Sequence, residues 1–107
     1  MTELDKLEQY LKNNDIEYVR IDDANERSIE VAKEVGMYTD GMFERHQIIV
    51  MKDGKRQWDA VCHWGSYGYR GGLLEVMGPA VIKKADGDEV CGYLTAQDVI
   101  DRLEGRA

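Results

Sequence analysis

A chain of 107 residues with 43% hydrophobic and 33% charged residues and a net charge of −7 has the size of one domain, 1–107, with one modest core. Its plentiful, periodic apolar residues argue against a disordered chain, and no apolar run approaches the roughly 20 residues that a membrane-crossing helix needs. An acidic protein repels phosphate backbones, which argues against direct nucleic-acid binding and leaves a basic partner, or plain solubility, as the use of the charge.

Thr2 opens the chain's first predicted helix, with Asp5 three residues on as a variant capping box and Leu4, Leu7 and Leu11 at helical spacing; Asn13-Asn14 ends it. Residues 16–21 (IEYVRI) alternate and read as a strand. Asp22-Asp23 is the expected cap of a second helix over 25–35, whose Ile29, Ala32 and Val35 share a face and which Gly36 stops. Residues 37–45 (MYTDGMFER) read as an irregular connection whose large apolar residues are expected to tuck under the sheet.

The clearest local element is a hairpin. Residues 47–51 (QIIVM) and 56–62 (RQWDAVC) flank Asp53-Gly54, a pair that favours a two-residue type I′ turn. An uninterrupted ladder from that turn sets Ile49 opposite Trp58 and Ile48 opposite Asp59. Ile49, Met51, Trp58, Ala60 and Cys62 then share one face, and Ile48, Val50, Asp59, Val61 and His63 the other. Residues 73–82 (LLEVMGPAVI) fit a short helix stopped by Gly78-Pro79 or a strand, with 80–83 extending the sheet. A turn at 86–88, a strand at 89–94 with a bulge at Gly92, and a helix capped by Thr95 with Asp98 and a Val99, Ile100, Leu103 stripe complete the chain. The fold class is therefore α+β: an antiparallel sheet on a central hairpin at about 46–63, with the N- and C-terminal helices packed on it.

Charge is uneven along this framework. Residues 1–35 carry ten acids and five bases, residues 36–84 five acids and seven bases, and residues 85–107 six acids and two bases. Two cysteines, Cys62 and Cys91, make no disulfide framework, and the charged first residues lack an apolar signal-like stretch, so a reduced, cytoplasmic protein is expected.

The stretch 58–72, WDAVCHWGSYGYRGG, concentrates both tryptophans with a cysteine, a histidine and four glycines. Trp58 sits mid-strand and is expected in the core, whereas Trp64 follows the strand beside a glycine. Trp64, Tyr67, Tyr69 and Arg70 are the candidate interaction surface, since exposed Trp, Tyr and Arg are the types enriched at binding hot spots. The same glycines could cradle an anion or frame a ligand pocket in which the rings stack on a base. The order of residues matches neither a P-loop nor a dinucleotide fingerprint, and a glycine-enabled turn whose rings cap the core accounts for it equally.

A catalytic thiol needs a base within reach. Cys62 and His63 are strand neighbours that point to opposite faces, and His46, opposite Val61 in the expected register, lies on the wrong face for Cys62. Cys62 then reads as a small buried hydrophobe. His46, His63, Cys62 and Cys91 lack the spacing that preorganises zinc ligands, and Asp59 with a histidine lacks a third group. Neither catalytic residues nor a metal or cofactor are expected.

The order of a hydrophobic strand, the Lys52-Asp53-Gly54-Lys55 turn, WDAVCHWGSYGYRGGLLEVMG and GDEVCGYLTAQDVIDRLE resembles a family of small proteins of Firmicutes phages, prophages and other mobile elements. The resemblance covers residues 46–104, is most specific over 58–78 and is weak before residue 46. It carries no catalytic residues. It implies a non-enzymatic interaction protein that binds and blocks a host protein, such as a host-defence or nucleic-acid-binding protein, in the manner of an anti-CRISPR inhibitor. The alternatives are a small-ligand or nucleotide sponge using residues 64–72, with a homo-oligomer as the natural form, and a structural domain.

Overall fold

The computed structural model describes residues 1–82 and 90–106. Three helices and five strands follow in the order α1 (Glu3–Asn13), β1 (Tyr18–Ala24), α2 (Glu26–Glu34), β2 (Glu44–Lys52), β3 (Lys55–Val61), β4 (Leu74–Met77), β5 (Val90–Leu94) and α3 (Ala96–Leu103). The strands form one antiparallel sheet in the order β1-β2-β3-β4-β5, so the β2–β3 hairpin is central, as the sequence predicts.

Both terminal helices begin with a reciprocal cap. The Thr2 hydroxyl accepts from Asp5 N (3.1 Å) while the Asp5 carboxylate accepts from Thr2 N (2.9 Å), and Thr95 and Asp98 repeat the arrangement. α1 buries Leu4, Leu7 and Leu11 against Ile48, Val50, Trp58, Ala60, Leu74 and Val76 of the sheet, with Val99 of α3 in the same core. The Glu3 carboxylate accepts from Ala96 N at 2.7 Å and ties the start of α1 to that of α3. α1 and α3 therefore come together on one face of the sheet.

The hairpin turn is as expected, with Asp53 and Gly54 both at positive φ and Lys52 opposite Lys55. The register beyond it is not. A bulge at Gln57 sets Val50 opposite Trp58, Ile49 opposite Asp59 and Ile48 opposite Ala60. One extra residue exchanges the partners across the hairpin. Ile48 and Val50, not Ile49 and Met51, join Trp58 and Ala60 in the core.

Asp22 and Asp23 belong to β1, and Asn25 caps α2 by accepting from Ser28 N at 3.0 Å. The connection 37–43 does not tuck under the sheet: Met37 and Phe43 are exposed, and Tyr38 and Met42 are no more than half-buried. Val35 is also exposed, leaving Ala32 as the buried residue of α2. Of the ambiguous residues 73–82, Leu74–Met77 is a strand and not a helix, while Ala80 and Val81 turn and do not extend the sheet. Gly92 does mark a bulge, since Gly92 and Tyr93 together oppose Glu75. The turn predicted at 86–88 lies outside the described residues. No helix among the described residues is long and apolar enough to cross a membrane.

Candidate functional site

The loop that leaves β3 folds tightly on itself. Ser66 N donates to His63 O, the Ser66 hydroxyl bonds the same carbonyl at 2.7 Å, and His63 N donates back to that hydroxyl at 3.1 Å. A single 3-10 turn, Tyr69–Gly71, follows, closed by Leu73 N donating to Gly68 O. Gly68 is at φ +95°, a conformation closed to ordinary side chains, and an added Cβ would lie 3.0 Å from Tyr93 Cα.

The loop is then stitched to β5. Tyr93 N donates to Tyr67 O at 3.3 Å, and a Cβ on Gly92 would overlap Tyr67 Cβ. The Tyr67 and Tyr93 rings stack at 6.3 Å between centroids, 28° from parallel. Tyr93 holds a left-handed backbone at φ +59°, a rare state for a bulky residue and the consequence of the bulge it occupies.

All four sequence candidates line one open concavity of about 570 Å³ between the loop, Thr39-Asp40 and Tyr93. Trp64 and Tyr67 are 46% and 56% exposed. Tyr69 is half-buried, with its hydroxyl end against Gly41, and burial pushes its phenol pKa up. Arg70 is exposed and has no ion-pair or hydrogen-bond partner among the described residues. The residue that sequence reasoning missed is Tyr93, at 67% exposure the most open ring here. Its place in the strand pattern pointed to the sheet; only the bulge at Gly92 signalled that it would turn out.

A second concavity of about 630 Å³ shares Tyr69 and Arg70 and is also lined by Arg20, His46 and Cys62. The bulge at Gln57 creates this neighbourhood. Cys62 N donates to His46 O, so His46 stands opposite Cys62 and not opposite Val61. The pair still makes no activated thiolate. His46 Nδ1 meets Asp22 at 2.7 Å and Nε2 meets Glu44 at 3.2 Å, so both ring nitrogens are engaged. The hydrogen bond to Asp22, then that to Glu44, raises the imidazole pKa, while burial raises that of the Cys62 thiol.

His46 ends a continuous polar chain. Tyr18 donates to Glu8 (2.8 Å), Arg20 bonds Glu8 (3.1 Å), Asp5 (2.7 Å) and Asp22 (2.9 Å), and Asp22 passes to His46. The Thr2 backbone N–H and then the Arg20 guanidinium hold Asp5 down at about 2. These bonds link α1, β1 and β2 and leave Arg20 committed to carboxylates.

On the opposite face of the sheet, buried Gln47 donates to Asp59 at 2.6 Å and accepts from Arg45 at 2.9 Å, and Arg56 pairs with Asp59 at 2.9 Å. Asp59 is thereby spent on structure, away from either histidine's bonds. Among the described residues no three His, Cys, Asp or Glu side chains are grouped to hold a metal ion. No family model matches the chain, and no curated protein and no solved structure matches it.

Proposed function

We propose that this chain is a non-enzymatic binding protein of mobile-element type that seats a host protein on Trp64, Tyr67, Tyr93 and Arg70 and blocks it, in the manner of an anti-CRISPR inhibitor. One observation carries the reading: three exposed rings and an exposed guanidinium surround one concavity on a loop held by its own hydrogen bonds. Rings and arginine at a preorganised surface are what a protein hot spot uses. The acidic sequence at both ends of the chain, of which α1 and α3 share one face, favours a partner with a basic surface, such as a nucleic-acid-binding protein.

The test is affinity capture from host lysate followed by titration of the captured protein. Tyr67→Ala and Arg70→Ala should each weaken binding by about 2 kcal/mol, roughly thirtyfold, with the melting temperature nearly unchanged. Undiminished binding by both variants would sink the loop as the interface.

A second reading, a small-ligand or nucleotide sponge, is favoured by the size of the concavity, about 570 Å³, within the range of ligand pockets. Stacking of a base on Trp64 or Tyr67 with phosphate on Arg70 is its chemistry. A thermal-shift screen with mono-, di- and cyclic nucleotides decides it: stabilisation lost in Arg70→Ala supports the sponge, and a flat panel removes it.

A further inference from the structure

The two edges of the sheet are finished differently. β5 has the loop along it, with Tyr93 N bonded to Tyr67 O and a bulge that turns the strand. β1 is seven residues long, regular in its pairing with β2, and among the described residues no strand pairs with its outer side. An uncovered regular edge is a template for another strand.

The outward-facing groups can be assigned from the ladder. Met51 N donates to Glu17 O and Asn25 N to Phe43 O, both at 2.9 Å, so odd-numbered residues of this segment bond β2. Tyr18, Arg20, Asp22 and Ala24 therefore aim their backbone N–H and C=O groups outward. None of these four backbones has a partner beyond the sheet among the described residues.

We propose that the chain forms a two-fold dimer by antiparallel pairing of β1 with β1 of a second copy, centred on Ile21. The charges select the partner and the register. Only registers that pair even-numbered residues with one another satisfy the outward groups. Centring on Arg20 sets two guanidiniums face to face, and centring on Asp22 sets two carboxylates face to face. Centring on Ile21 sets each Arg20 opposite the other copy's Asp22, Tyr18 opposite Ala24, and Ile21 opposite itself. The Arg20–Asp22 pair, made twice across the dyad, is the argument for a second copy over a foreign strand. The resulting sheet has ten strands. The proposal is independent of the loop reading, since the loop lies along the other end of the strand order.

Val19 provides the test, because it is exposed and stands opposite Asp23 of the other copy in this register alone. Sedimentation velocity on the full chain, from about 1 to 100 µM, should show a dimer. Val19→Lys should tighten it and Val19→Asp weaken it, each by roughly fivefold to tenfold because the dyad doubles every pair. Mild oxidation of Ile21→Cys should link two copies through the introduced thiols, which a non-hydrogen-bonded pair brings within disulfide reach, and Val19→Cys should not link. A wild-type chain that stays monomeric over the whole range overturns the proposal, as does a dimer indifferent to both charge changes at Val19. Unchanged circular dichroism of the Val19 variants separates lost association from lost folding.

Discussion

Two regions of this molecule expose large apolar side chains, and they are built in opposite ways. The loop 63–72 presents Trp64 and Tyr67 from a backbone tied to itself and to β5, with Gly68 and Gly92 admitting contacts that no side chain would permit. The α2–Phe43 segment presents Val31, Val35, Met37 and Phe43 around a groove of about 440 Å³, but α2 itself buries only Ala32, and a Cβ on Gly36 at its end would meet nothing within 4 Å. Exposed rings on a rigid backbone lose little freedom on binding, whereas exposed aliphatic groups on a lightly anchored helix must be ordered by whatever meets them. Exposure alone therefore does not mark a site; exposure with preorganisation does.

The largest expected effect breaks the loop's half of that contrast. Gly92→Ala drives a methyl group into Tyr67 Cβ and against Tyr67 O at 3.0 Å. Overpacking of this kind costs about 3 kcal/mol, roughly 10 °C in melting temperature for a domain of this size. Gly36→Ala, after α2, meets nothing within 4 Å and carries only the strain of a side chain at φ +70°, about 1 kcal/mol. Thermal melts of the two variants compare the regions directly, and equal losses would mean that the loop is no more tightly held than the end of α2.

Next in size is the effect on binding. Tyr93→Ala removes the ring that stacks on Tyr67 but leaves the backbone bond between them. It should weaken partner binding by about 1–2 kcal/mol, close to the loss from Tyr67→Ala, with the double variant less than additive because the rings are in contact. Val31→Lys, on the other patch, should leave the same titration unchanged. A larger loss from Val31→Lys than from Tyr93→Ala would move the interface to α2.

The legible parts of this fold were those set by local chemistry. The caps at Thr2 and Thr95, the Asp53-Gly54 turn and the leucine stripe of α1 each depend on residues within a few positions of one another. The errors came from one inserted residue and from burial. Gln57 carries no mark of a bulge, and its extra place moved His46 opposite Cys62 and Ile48 into the core. Phe43 and Met37 read as buried by type, yet among the described residues nothing covers them. Of the site, Trp64 and Tyr67 were legible because glycine neighbours keep rings out of a strand pattern, and Tyr93 was not, because it sits within a strand pattern and its exposure depends on how the bulge at Gly92 turns that strand.

The pH dependence sharpens the comparison from the α2 side, since Asp22, Glu44 and His46 lie where β1 leads into α2 and where the connection returns to β2. The folded pKa of His46 is raised, above all by its bond to Asp22. That stabilisation is full below the unfolded value of about 6.5 and is lost as pH rises through the folded value. Asp5, held at about 2, and Asp22, lowered chiefly by His46, act in the other direction. Their contribution is present above the unfolded carboxylate value and fades as pH falls through the folded ones. Melting temperature should therefore decline modestly above pH 6.5, and His46→Gln should remove that decline. Hydrogen exchange should report the loosening at β1 and α2 and not at 63–72; protection lost in the loop over the same window would contradict the division.

The smallest effect tests the idea that the α2 side is only lightly built. Phe43 holds φ +65° while nearly half exposed, so it bears backbone strain without the burial that would offset it. Asparagine tolerates that conformation better than a bulky ring does. Phe43→Asn should therefore be neutral or stabilising by up to about 0.5 kcal/mol, where an aromatic residue removed from a real core would cost several times more in the other direction. The bond from Asn25 N to Phe43 O is a backbone contact and survives the change. A melting temperature that falls by more than a few degrees would show that the Phe43 ring is part of the fold's support, and that the groove beside α2 is as deliberately held as the loop.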